Sequence, residues 1–200
     1  MTRRKGADIP QIKATAPVAF FTQSRRRCSP KRRIAYCAIM VFSLGMALHA
    51  HADNEREAAT LTVNVGMTGL FDSEKTPIFS GEYRFGWEYY GFRPWLGASW
   101  ATDGAVFMGG GIIWTYVPVH RDGRRLPWRF TLGFGPGYYE RHEGPNLGSH
   151  LEFISFAEIG YVLPNRCMLS TKLAHISNGG VSTWNPGVEL LMFGFTIPLK

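Results

Sequence analysis

The sequence predicts an all-β protein, an eight-stranded antiparallel transmembrane β-barrel, on three observations. No segment after Thr60 carries a helical period. Short stretches of two-residue alternation recur between turn residues. One face of that alternation is charged while the other is crowded with aromatic side chains. Alternation alone would serve a soluble lipocalin-like barrel or sandwich equally well, and that is the alternative. An aromatic face turned outward is at home in lipid, however, and closure removes the strand edges that lipid cannot satisfy.

The elements follow in order. Over 60–70, Leu61, Val63, Val65 and Met67 fall on one face, with Thr60, Thr62, Asn64 and Thr68 on the other. Over 79–90, Phe79, Tyr83, Phe85, Trp87 and Tyr89 oppose Ser80, Glu82, Arg84 and Glu88. Segments at 93–101 and 105–117 alternate less cleanly. Over 128–138 the apolar set is Trp128, Phe130, Leu132 and Phe134, with Arg129 and Thr131 between them. Over 149–161 it is Leu151, Phe153, Ile159 and Tyr161 against Glu152 and Glu158. Two last strands are expected over 166–177 and 187–199. About eight strands of roughly ten residues make the smallest closed barrel of the outer-membrane class. Glu82, Arg84, Glu88, Arg129, Glu152, Glu158 and Lys172 are then expected to fill a polar interior. The glycines of Gly133-Phe134-Gly135-Pro136-Gly137 read as a place where a strand bends or packs closely. Barrels of this class usually end on an aromatic residue, and this chain departs from that pattern with Pro198-Leu199-Lys200.

Residues 1–52 read differently. The first 33 residues carry ten Lys and Arg against the single Asp8, the stretch 34–48 is apolar, and Ala50-His51-Ala52 follows. Basic region, short apolar stretch and small-residue site describe a signal peptide cleaved after Ala52, with an uncleaved anchor as the alternative. The barrel domain is then 53–200. The leader holds +9 of charge in a chain of net +7, so the remainder is near −2 and the basic balance does not point to nucleic acid. Cys28 and Cys37 belong to the leader, so Cys167 has no partner for an internal disulfide or a C-x-x-C metal pair.

The chain has no G-x-S-x-G elbow, H-E-x-x-H pair or phosphate loop. Its chemistry concentrates in Ala174-His175-Ile176-Ser177-Asn178-Gly179-Gly180 and Asn185-Pro186-Gly187-Val188-Glu189. His175 and Ser177 share a strand face, about 7 Å apart at Cα. That face also carries Leu169 and Leu173, and Glu189 shares its own with Leu191, Phe193, Phe195 and Ile197. A His, a Ser and a Glu on a lipid-facing surface are costly unless they satisfy one another. A hairpin with His175 opposite Glu189 sets Ser177 opposite Gly187. The carboxylate then orients the imidazole while its other nitrogen faces the hydroxyl, in the manner of a nucleophile, base and acid. Taken singly, each has a plainer reading: a structural histidine, a turn-forming serine, a glutamate at headgroup depth. With both termini on the periplasmic side, the seventh strand ends outside, at the depth of the outer leaflet.

The H-x-S-N-G-G segment, with a Glu fourteen residues after the His in N-P-G-x-E, resembles the lipid A 3-O-deacylase family of Gram-negative outer membranes. The resemblance is strong over 174–189 and looser over the rest of 60–199. It implies an eight-stranded barrel that hydrolyses the ester-linked acyl chain at position 3 of lipid A, a serine esterase needing no metal or organic cofactor. By that likeness Ser177 is the nucleophile, His175 the general base and acid, and Glu189 the residue that orients it. Asn178 and Gly180 match positions that would shape an oxyanion hole. The partners implied are lipid A or lipopolysaccharide and the surrounding outer-membrane lipid, without nucleic acid, and with a homodimer left open. Two alternatives remain: a non-enzymatic adhesin or structural barrel working through its surface loops, and a phospholipase or acyltransferase on a similar barrel.

Overall fold

Residues 57–72, 74–89 and 91–199 are described by the computed structural model; the leader expected over 1–52 lies outside them. Eight strands follow in chain order: β1 (Thr60–Thr68), β2 (Thr76–Arg84), β3 (Phe92–Ala101), β4 (Val106–Tyr116), β5 (Trp128–Glu140), β6 (Leu151–Val162), β7 (Met168–Ser177) and β8 (Val188–Pro198). Each pairs antiparallel with the next, and β1 pairs with β8 to close the barrel, with Val63 opposite Phe195. Strands of 9 to 13 residues suit a tilted crossing of the hydrocarbon layer. Among the described residues no helix is long and apolar enough to cross a membrane. The first and last strand ends lie together at one end of the barrel, called here the terminal end. The turns after β1, β3, β5 and β7 lie at the other, the loop end.

The alternation sorts side chains as expected. Leu61, Val63, Val65 and Met67 face outward, as do Phe79, Trp100, Phe134 and Phe193, all exposed. An apolar band of this extent around a closed sheet is stable only against lipid. Thr62, Asn64, Glu82, Arg84, Glu158 and Lys172 are buried in the interior.

That interior is not polar throughout, which corrects the sequence reading. Glu152, fully buried near the start of β6, is an interior carboxylate toward the loop end, as the alternation expects, while the paired charges lie in the half nearer the terminal end. There Arg84 donates to Glu158 (2.5 Å) and Glu82 (3.3 Å), Lys172 is bonded to Glu82, and Asn64 donates to Ser80 (2.9 Å) and Glu82 (3.4 Å). Two cations meet two carboxylates, so these charges leave water already paired; unpaired, each would cost several kcal/mol. Toward the loop end, Ile78, Phe107, Ile154, Ile176, Val188 and Leu190 form an apolar plug. Glycines make room for its rings. A Cβ on Gly133 would lie 2.1 Å from the Phe156 ring, and one on Gly137 2.3 Å from the Phe107 ring. The close packing expected of 133–137 is therefore an inward accommodation of aromatics.

Three further expectations change. The second strand ends at Arg84, and the chain reverses through a tight bridge between Tyr89 and Phe92, so Trp87 and Tyr89 alternate without being in a strand. Glu88 lies in that turn and is exposed, not interior. Arg129 sits half-buried at the rim of the terminal end, donating to the carbonyls of Leu126 (2.9 Å) and Trp128 (3.0 Å). Arg93, which the pattern did not single out, is buried instead. It donates to the carbonyls of Phe85 and Ala58 and pairs with Glu57.

Candidate active site

β7 and β8 carry the constellation. Their register sets His175 opposite Glu189 and Ile176 opposite Val188, where the pairing ends; Ser177 closes β7 and Gly187 stands one residue before β8. On the other side, β6 sets Ser155 opposite His175 and Phe153 opposite Ser177. The odd-numbered residues of both strands face outward, and Leu169 and Phe193 of that face are exposed. His175 and Glu189 are more sheltered, with side chains 17% and 11% exposed. Nδ1 of His175 lies 3.5 Å from Oε1 of Glu189.

The far edge of the imidazole is located by a glycine. Gly187 has φ +67, and a Cβ built on it would lie 2.4 Å from Cε1 and 3.0 Å from Nε2 of His175. The ring thus spans from the Glu189 carboxylate to the space above Gly187. Only a residue without a side chain leaves that space open, and the left-handed backbone there also suits glycine. In the Asn185-Pro186-Gly187 segment the glycine is what gives the histidine clearance.

Asn178 and Gly180 stand beside Ser177 but are otherwise engaged. One step past Ser177 the side chain turns inward, and Asn178 is fully buried. Its Nδ2 donates to the carbonyls of Leu147 (2.9 Å) and Trp184 (2.8 Å), and its Oδ1 accepts from the Gly180 amide (2.9 Å). Its own amide donates to Oδ1 of Asn185 (3.0 Å). Both donors of the Asn178 side chain and the Gly180 N–H, from the two residues expected to shape an oxyanion hole, are engaged in bonds within the loops. Asn178 clamps loop 178–187 to loop 141–150. The Trp184 indole adds a bond to the Asn146 carbonyl (3.2 Å), and Gly148 packs so closely that a Cβ would lie 1.9 Å from the Trp184 carbonyl oxygen.

Among the described residues no group of three or more His, Cys, Asp or Glu is placed to hold a metal ion. Cys167 lies in the turn before β7, at the opposite end of that strand from Ser177. The outward face thus carries a hydroxyl and an imidazole two residues apart on β7, with a carboxylate opposite the imidazole on β8.

The family model described as lipid A 3-O-deacylase (PagL) matches residues 62–198, nearly the whole barrel. Lipid A deacylase PagL of Bordetella bronchiseptica is 22% identical over 157 residues, spanning 76% of this chain and 82% of that protein. The crystal structure of the outer membrane enzyme PagL superposes with a TM-score of 0.54 at 20% identity, over 70% of this chain and 99% of that one. A de novo designed transmembrane β-barrel superposes almost as well, at 0.52 and 15% identity, over 74% of this chain and all of the design. The two superpositions therefore speak for the barrel and not for its chemistry.

Proposed function

The chain belongs to the lipid A 3-O-deacylase family, and from that premise we propose that Ser177, His175 and Glu189 carry its reaction. The protein is an outer-membrane ester hydrolase that removes the 3-O-linked acyl chain of lipid A. What the family does not assign is which atoms of this chain perform the step.

The observation that carries the assignment is the span of the His175 ring. Nδ1 faces the Glu189 carboxylate at 3.5 Å, and Nε2 lies toward Gly187, on the outward face that also carries Ser177 two residues along β7. In the proposed reaction Nε2 takes the Ser177 hydroxyl proton as Oγ attacks the ester carbonyl. The tetrahedral adduct collapses by breaking the bond to the sugar 3-oxygen, which takes the proton back from Nε2. Water then attacks the acyl-serine, His175 again removes and returns a proton, and the fatty acid leaves. Glu189 holds the ring in the tautomer with hydrogen on Nδ1 and stabilises the imidazolium that forms at each transfer. Asn178 and Gly180 serve this step by ordering the turn after the nucleophile. Oxyanion donation from either requires exchanging a bond already made for one to substrate. The loop end, by this reading, faces the cell exterior, and maturation removes residues 1–52.

Purified variants incubated with lipid A in detergent micelles, with released hydroxy fatty acid measured by mass spectrometry, test the assignment. Ser177→Ala is expected to fold and to release no fatty acid. His175→Ala is expected to lose about 10²–10⁴-fold, the usual contribution of a positioned base, and Glu189→Ala less. Cys167→Ser, remote from the site, is expected to keep full activity. Wild-type release from Ser177→Ala would remove serine from the mechanism.

A further inference from the structure

Phe153, the neighbour of Ser177 on β6, stacks on Phe134 of β5 with ring centroids 5.9 Å apart and planes at 6°. Nearer the loop end, at the end of β5 and just before β6, is a second outward group that the reaction does not use. Tyr138 pairs with Leu151, and His150, one residue earlier, lays its imidazole flat on the Tyr138 ring at 5.4 Å and 5°. The Tyr138 hydroxyl donates to Oε2 of Glu140 (2.8 Å), which lies 3.7 Å from Nδ1 of His150. Nδ1 is also 3.0 Å from the Tyr139 carbonyl. A carbonyl only accepts, so Nδ1 carries the hydrogen and donates it there. In the neutral ring Nε2 then presents a lone pair. The group is open: the His150 side chain is 68% exposed and Tyr138 48%.

We propose that Tyr138, Glu140 and His150 form a sugar-binding subsite that holds the ring of the headgroup next to the one whose ester is cleaved. The proposal rests on Ser177 as the reacting centre. Two residues along a strand and two strands across place the group about 12 Å from Ser177, beyond the ester-bearing sugar and within reach of its neighbour. Its chemistry suits a pyranose. A flat imidazole face meets the C–H surface of the ring, while Nε2 of His150 and the second oxygen of Glu140 accept hydroxyl hydrogens at its edge. The trio offers no fixed cation, so a neutral polyhydroxyl surface fits it better than a phosphate. The carboxylate and the carbonyl hold both rings in place beforehand, so binding costs little side-chain freedom. Its occupant is either the second glucosamine of lipid A or a core sugar of lipopolysaccharide, and the two are separable.

Kinetics of wild type and His150→Ala are measured on three substrates with the same 3-O-acyl chain: an acylated glucosamine monosaccharide, lipid A, and lipopolysaccharide bearing core sugars. On lipid A, KM is expected to rise about five- to tenfold, the size of one net hydrogen bond. There kcat should stay within about twofold, and the monosaccharide should be cleaved unchanged. A rise confined to lipopolysaccharide assigns the occupant to the core and supports the subsite equally. His150→Gln, which restores an acceptor at the edge, is expected to recover part of the affinity. An equal rise on the monosaccharide, or no change on any substrate, overturns the proposal. Activity surviving in Ser177→Ala would instead overturn the nucleophile, and the KM pattern would still be readable on the active enzyme.

Discussion

Replacing Gly187 by alanine puts a methyl group where the edge of the His175 ring now lies. The new Cβ would be 2.4 Å from Cε1 and 3.0 Å from Nε2. Carbon atoms settle at about 3.5–4.0 Å, so the ring must withdraw by about 1 Å or more. It would then leave the position from which, in the proposed reaction, Nε2 takes the Ser177 proton. A misplacement of that size costs on the order of 10²-fold in rate. The residue also has φ +67, where a side chain adds about 1–2 kcal/mol of backbone strain. The two effects are separated by Gly123→Ala. Gly123, in the β4–β5 turn at the terminal end, has φ +82, and a Cβ there meets no atom within 4 Å. Both variants are expected to show a similar small drop in unfolding midpoint in detergent micelles, while only Gly187→Ala loses release of hydroxy fatty acid from lipid A. Wild-type turnover by Gly187→Ala would mean that the imidazole does not react from the orientation described.

Two other perturbations probe the support of the site and of the barrel. Asn178→Ala removes two donated bonds and one accepted bond, about 1 kcal/mol each. Amide exchange is expected to quicken in residues 146–148 and 178–187 and deacylation to fall at least about tenfold, with unfolding of the barrel little changed; unaltered exchange in those loops would deny Asn178 its clamping role. Lys172→Met leaves the two buried carboxylates Glu82 and Glu158 to the single cation Arg84 and is expected to cost about 3–5 kcal/mol in denaturant unfolding, much of it recovered in the double variant with Glu82→Gln. A loss below about 1 kcal/mol would mean that these charges are not isolated from water.

Inside and outside were legible from the sequence because a strand's side chains alternate with a period of two, and lipid demands an apolar outer face along its whole length. That is why His175, Ser177 and Glu189 could be set on one surface, and why their register followed once β7 and β8 were taken as a hairpin. Alternation says nothing of depth along the barrel axis. The gathering of interior charge into one paired cluster beneath an apolar plug depends on which strands face each other across the closed sheet. Arg84 of β2 meets Glu158 of β6, 74 residues away, and no local pattern encodes that meeting. Alternation also runs on where pairing stops. Trp87 and Tyr89 keep the period past Arg84, although the chain has already turned. Arg93 was missed because its neighbours alternate weakly, and its burial is decided by the carbonyls of Phe85 and Ala58 that converge on it. At the site itself, the residue types and their spacing singled out the proposed trio, and the tertiary register sets two of its members, His175 and Glu189, opposite each other. The tertiary structure decided the task of Asn178, because the carbonyls that occupy its amide belong to Leu147 and Trp184, brought to it only when two loops close over the end of the barrel.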